Sequence, residues 1–216
     1  FLIAGSLITM GTLGDRIGRR RLLLIGAAFF AVASALAAMA HTAELLIAAR
    51  ALLGLAGATI APSTMALIRN MFHDPRQRQF AIGVWIAAFS LGSAIGPLVG
   101  GVLLEYFHWG SVFWVAIPVM ALTLLLGPRF LPEYRDPDAG HLDLASVALS
   151  LAAALLTIYG LKHMAEQGVH GAGVAATVLG LGLGWAFVRR QRHIDYPLLD
   201  VRLFQHAPFC AALAAY

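Results

Sequence analysis

The sequence predicts an all-α fold, a polytopic bundle of transmembrane helices. Three observations carry this. First, 60% of the 216 residues are hydrophobic and only 12% are charged, where soluble domains average about 25% charged. Mean hydropathy is +0.79. Second, long apolar runs follow one another along the whole chain. Third, arginines gather in every second connection between those runs. The net charge of +4 could otherwise suggest nucleic acid as a partner. The arginines punctuate apolar runs and build no basic domain, so nucleic acid is excluded and the lipid bilayer is the expected surrounding.

A helix that crosses a bilayer needs about 20 mainly apolar residues. Phe1 to Met10 reads as the last half of one such helix. Leu22 to Ala40 is a full pass, and Leu45 to Met71 is a second, interrupted by Arg50. Phe80 to Leu104, Ser111 to Leu126, Leu144 to Leu161 and Gly171 to Val188 follow, and Phe209 to Tyr216 opens another. Alternating passes put four connections on one side. These carry Arg16, Arg19, Arg20 and Arg21; Arg69, Arg76 and Arg78; Arg129 and Arg135; and Arg189, Arg190, Arg192 and Arg202. The opposite connections hold Lys162 with His41, Glu44, Glu105, His163 and Glu166. Cytoplasmic loops are enriched in Lys and Arg, so the arginine side is predicted to be cytoplasmic. Trp109 falls at the outer interface and Trp185 at the inner one, where aromatic rings anchor helices. The chain starts at Phe1 and stops at Tyr216 inside apolar runs, so a part of a longer protein is expected. Cys210 has no second cysteine to pair with.

Four segments carry candidate chemistry. The first is Gly11-Thr12-Leu13-Gly14-Asp15-Arg16-Ile17-Gly18-Arg19-Arg20-Arg21, a charged turn that cannot lie in lipid. Gly11 and Gly18 permit unusual backbone angles, and Asp15 can accept from loop amides or a helix N-terminus. Asp74, in the next connection on the same side, is a candidate partner for Arg19 or Arg20. The second is Arg50, about five residues into its pass. A charge there costs roughly 2.5–3.5 kcal/mol on insertion scales. It either faces a cavity or an acid, or snorkels to the outer interface. The third is Gly92-Ser93-Ala94-Ile95-Gly96-Pro97-Leu98-Val99-Gly100-Gly101. Pro97 has no N–H and opposes the carbonyl of Ser93, so a bend is expected. Glycines at a spacing of four line one face and admit a neighbouring helix. The fourth is the polar stretch from Gly127 to Asp143, rich in Pro and Asp, which reads as a linker.

Several enzyme signatures fail on context. Gly180-x-Gly182-x-Gly184 follows no strand and lies in an apolar run, so it is no dinucleotide site. The eight histidines have no metal-ligand spacing, and Ser63 and Ser90 have no acid or base nearby in sequence. No enzyme activity, no metal and no cofactor is expected.

The motifs resemble those of the major facilitator superfamily. Gly11 to Arg21 is similar to that family's loop between helices two and three, G-x-L-a-D-r-x-G-r-k, with Gly14 for Ala and Arg20 for Lys. Leu46-x-x-x-Arg50-x-x-Leu53-Gly54 resembles the fourth-helix motif l-x-x-x-R-x-x-q-G, with Leu53 where Gln is common. Gly92 to Gly101 matches the fifth-helix antiporter motif g-x-x-x-G-P-x-x-G-G. The run Pro197-Leu198-Leu199-Asp200-Val201-Arg202-Leu203-Phe204 looks like the segment after the two extra helices of fourteen-helix drug:H⁺ antiporters. Trp109, Phe113 and Pro118 fit that branch's entry to helix six, with Gly110 and Ala116 in place of Arg and Asn.

The resemblance implies proton-coupled efflux of drugs or other lipophilic, often cationic, small molecules across a bacterial cytoplasmic membrane. Its partners are the small-molecule substrate, protons and the bilayer. It implies a gating role for Gly11, Asp15, Arg16, Gly18, Arg19 and Arg20, proton coupling through Arg50, and a gate shaped by Gly92, Gly96, Pro97, Gly100 and Gly101. It divides the chain into 1–127, the end of helix two to helix six; a cytoplasmic linker, 128–143; two extra transmembrane helices, 144–188; and 189–216, a loop with the start of the next helix. A metabolite facilitator or symporter shares the fold, and a membrane sensor that binds ligands without moving them is a third class.

Overall fold

The computed structural model describes residues 2–135, 143–169, 171–194 and 197–198. Among these residues the chain is helical, with no strand: α1 Leu2–Ile17, α2 Arg19–Ala38, α3 Ala43–Met71, α4 Pro75–Tyr106, α5 Ser111–Trp114, α6 Ala116–Phe130, α7 Leu144–Gln167 and α8 Gly171–Gln191. Six stretches are long and apolar enough to cross a membrane, α5 and α6 counting together as Ser111–Phe130. The expected pass from Phe209, Cys210 and most of the Pro197–Phe204 run lie outside the described residues.

Local chemistry sets the ends. Thr42 caps α3 by accepting from the Leu45 N–H at 3.2 Å. Asp74 caps α4 by accepting from the Arg76 N–H at 2.7 Å, with Pro75 opening the helix where a missing N–H costs nothing. The expected pass Ser111–Leu126 loses its regular hydrogen bonding at Val115, between α5 and α6, although the backbone there stays helical at φ −59° and ψ −33°. Pro118 is the physical reason, since it cannot donate to the carbonyl of Trp114 four residues back.

Two expected loops are shorter than the sequence suggests. The Gly11–Arg21 segment is not an extended turn: α1 runs to Ile17 and α2 begins at Arg19. Gly11 is therefore helical, and Gly18 alone makes the reversal, at φ 110° and ψ 134°. Its N–H closes α1 on the Gly14 carbonyl at 3.0 Å, and its carbonyl accepts from Leu22 at 2.9 Å to open α2. Likewise, α6 continues through Pro128 to Phe130, so the linker starts later than Gly127.

The chain divides into two compact units, Leu13–Pro137 and Phe1–Thr12 with Asp138–Tyr216. In the first, α2 packs on α3, α5 and α6. The buried side of α2 is largely small, with Gly26, Ala27, Ala33, Ser34, Ala37 and Ala38, whereas Ile25, Phe29, Val32 and Leu36 are exposed at helical spacing. Small residues inside and large apolar ones outside is the distribution a lipid solvent favours. Gly26 is required at the α2–α3 contact: a Cβ there would overlap the Thr59 hydroxyl and lie 3.0 Å from Thr59 Cβ. In the second unit, α7 and α8 form a hairpin with Gly160 seated on Thr177, and Gly180 on Thr157.

Candidate functional site

At the arginine-rich end of the first unit, the Gly18 turn is held against the segment that follows α6. The Arg20 N–H donates to Glu133 Oε1 at 3.1 Å. The guanidinium of Arg20 lies 3.5 Å from Glu133 Oε2, and that of Arg21 lies 3.7 Å from the same atom. Arg20 also donates to the Leu131 carbonyl at 3.0 Å, the Arg19 N–H to the Tyr134 carbonyl at 2.8 Å, and Arg135 to the Ile17 carbonyl at 3.2 Å. These bonds tie the end of α1 and the start of α2 to the end of α6. Arg19 is buried and donates to Asp15 Oδ1 at 2.8 Å, one turn back across the Gly18 reversal. Arg16 sits in the last turn of α1, where positive charge faces the helix C-terminus.

This arrangement corrects the expected partner. Asp74 is occupied as the cap of α4 and takes no part; Asp15 and Glu133 are the acids of the turn. Glu133 was not singled out from the sequence. The available signal was an acid flanked by arginine-rich segments in Leu131-Pro132-Glu133-Tyr134-Arg135. Gly18 explains the close fit, because a Cβ on it would overlap the Glu133 carboxylate, whose Cδ would be 2.7 Å away.

Arg50 lies in the second turn of α3 and is exposed. Among the described residues no carboxylate pairs with it, Glu44 included. Its guanidinium stands 5.8 Å from the centroid of the Phe113 ring. Trp109 meets Phe113 edge-on at 6.3 Å, and His108 lies 5.2 Å from Trp109. The contact of Arg50 with the Phe113 ring is worth about 0.5–1 kcal/mol when exposed.

Gly92, Gly96, Pro97, Gly100 and Gly101 all lie within α4, which is helical through the proline. A Cβ added at any of the four glycines would meet nothing within 4 Å. The neighbouring helix expected to approach this face is therefore not among the described residues. None of α4 is buried, and its main contacts are with α3 and α5.

The second unit holds a polar cluster that the sequence did not announce. Asp143 caps α7 and takes a two-pronged pair from Arg190 near the end of α8, at 2.6 and 3.2 Å. The Ser146 hydroxyl donates to Asp143 at 2.7 Å, and Gln191 donates to Ser146 at 2.7 Å. The Gln191 carbonyl accepts from the Leu198 N–H at 2.6 Å, which ties the chain after α8 to the hairpin. The Arg190 guanidinium, and then the Ser146 hydroxyl, hold the Asp143 carboxyl well below the usual carboxylate range.

Comparison with known proteins agrees with this helical architecture. The family model of the Major Facilitator Superfamily matches residues 1–215. The multidrug efflux pump LfrA of Mycolicibacterium smegmatis is 51% identical over 99% of this chain and 42% of its own length. The methyl viologen resistance protein SmvA of Salmonella typhimurium is 40% identical over 95% of the chain and 42% of its length. The drug efflux pump JefA of Mycobacterium tuberculosis is 32% identical over 99% and 42%. The chain thus spans about 42% of the length of these relatives. With six stretches able to cross a bilayer, it is part of a multi-pass protein of the bacterial cell membrane, and it belongs to the major facilitator superfamily.

Proposed function

We propose that the complete transporter exports drugs or other lipophilic small molecules, many of them cationic, in exchange for protons. The observation that carries this reading is the 51% identity, over 99% of the chain, to a protein named as a multidrug efflux pump. The Gly92–Gly101 sequence, which resembles the motif of antiporters, supports the direction of exchange.

The mechanism is alternating access, in which two helical bundles rock about a site near the bilayer midplane. Rocking as a rigid body requires that a bundle's helices move together. Glu133 and the Gly18 turn serve this by joining α1, α2 and α6 at their arginine-rich ends. Asp15 and Arg19 fix the turn itself. Arg50 cannot deprotonate, so its part in coupling is electrostatic: it lowers the proton affinity of a nearby carboxylate and repels a bound cation. The open glycine face of α4 serves as the surface on which the gate closes. The hairpin of α7 and α8 is the pair of extra helices of the fourteen-helix branch.

Ethidium efflux from bacterial cells expressing the complete gene, with and without a protonophore, tests this. Efflux above an empty-vector control that collapses with the protonophore is expected. Arg50→Ala is expected to abolish it while leaving the protein in the membrane, because the residue is exposed and its contact with the Phe113 ring is worth only about 0.5–1 kcal/mol. Efflux that survives the protonophore, or that is unaltered by Arg50→Ala, refutes the coupling assignment.

A further inference from the structure

The last turns of α8 have two faces. Gly173, Gly180 and Phe187 recur every seven residues, Gln191 follows four later, and all four are buried. On another face, Trp185 and Arg189 fall at i and i+4, and Arg192 follows just past the helix end, where its N–H donates to the Arg189 carbonyl at 3.3 Å. Trp185 is 65% exposed, and Arg189 and Arg192 are exposed as well. With Val188 and His193 they line an open groove of about 330 Å³.

The groove is ordered by its own contacts. The Arg189 guanidinium stands 5.4 Å from the centroid of the Trp185 ring. His193 Nδ1 lies 2.8 Å from the Arg189 carbonyl, which can only accept, so the ring donates and is held at the rim. Arg190 is taken up by Asp143 on the other side of the helix. Among the described residues, neither Arg189 nor Arg192 has a carboxylate partner.

We propose that Trp185, Arg189, Arg192 and His193 form a headgroup site for an anionic phospholipid of the cytoplasmic leaflet. Each component matches that ligand. Guanidinium groups present planar forks of donors that fit phosphate oxygens. An exposed tryptophan fewer than two turns inside the helix end sits at the depth of the headgroups. Val188 supplies an apolar wall where the glycerol gives way to acyl chain. Basic residues directly cytoplasmic of a transmembrane helix concentrate acidic lipid. The groove is open toward its surroundings, as a lipid entering sideways from the leaflet requires.

Native mass spectrometry of the intact transporter, titrated with phosphatidylglycerol and with phosphatidylcholine of the same acyl chains, tests the site. Phosphatidylglycerol adducts are expected in clear preference. Each arginine near an acidic lipid surface contributes about fivefold in affinity, so Arg189→Gln with Arg192→Gln should weaken phosphatidylglycerol binding about 25-fold. Phosphatidylcholine binding and the melting temperature in neutral lipid should stay unchanged. Arg69→Gln with Arg129→Gln, which removes the same charge elsewhere on that side, should leave the preference intact. Glycerol 1-phosphate, which carries the same anion without chains, should not displace the lipid. Equal adducts of the two lipids overturn the proposal, as does a double variant that binds like the parent or displacement by the soluble phosphate.

Discussion

Replacing Gly18 by alanine probes the arginine-rich turn at its tightest point. Gly18 sits at φ 110°, a conformation that costs an L-residue about 1–3 kcal/mol. Its new Cβ would also overlap the Glu133 carboxylate, with Cδ only 2.7 Å away. The carboxylate must move, which releases the Arg20 N–H bond of 3.1 Å and the Arg20 pair at 3.5 Å. A hydrogen bond to a charged group is worth about 1.5–3 kcal/mol. Arg20 and Glu133 are 29% and 27% exposed, so screening reduces this to about 1–2 kcal/mol. Gly18→Ala should therefore cost about 2–5 kcal/mol, and Glu133→Ala about 1–2 kcal/mol. In the double variant the contacts with Glu133 are lost once, not twice, so its cost should fall short of the sum by about 1–2 kcal/mol. The assay is equilibrium unfolding of the purified transporter in mixed micelles for the parent, both single variants and the double. Costs that add to within about 0.3 kcal/mol, or a harmless Gly18→Ala, would refute the contact between Gly18 and Glu133.

Other outcomes follow from the same geometry. Gly26→Ala drives a Cβ into the Thr59 hydroxyl and should cost about 1–3 kcal/mol by overpacking; adding Thr59→Ala should recover part of it in the same unfolding assay. Gly180→Leu opposes the Thr157 N–H and the Ala153 carbonyl, at 2.5 and 3.0 Å from a Cβ, and should splay α7 from α8. It should lower stability by about 1–3 kcal/mol in the same unfolding assay, and an unchanged value would refute the packing. Asp143→Asn removes the acid that holds Arg190. Because the folded carboxyl lies below its ordinary value, its contribution is fully present above the unfolded value of about 3.9. It is lost as pH falls below that value toward the depressed one. The stability gap between parent and Asp143→Asn should be flat from pH 5 to 8, roughly the range where carboxylates stay ionised, and should narrow only in stronger acid. A gap that closes near neutrality contradicts the paired geometry.

The passes and their alternation could be read from the chain because lipid is a demanding solvent. Runs such as Leu22–Ala40 and Leu144–Leu161 must be long and apolar, and every arginine but Arg50 falls in or beside one set of connections. Helix ends were less legible. Nothing in Gly11–Arg21 distinguishes an extended turn from two helices meeting at Gly18, since the charged residues suit a helix end equally well. The acid of the turn was harder still. Glu133 lies 113 residues from Arg20 in the chain, and Asp74 was an equally plausible partner until its role as a helix cap became visible.

The sequence by itself determined the solvent, the number of stretches that cross it, the side on which the arginines collect and the motifs that mark the superfamily. These depend on local composition and on spacing within one element. Only the tertiary structure decided which glycines are contacts. Gly26, Gly160 and Gly180 admit a neighbour, while Gly92, Gly96, Gly100 and Gly101 face open space, although the regular spacing of four belongs to the second set. It also decided that Asp143 belongs with Arg190 and Arg20 with Glu133. The rotation of each helix about its own axis, which aims a side chain at one neighbour or another, is set by packing between elements and leaves no mark in the order of residues along the chain.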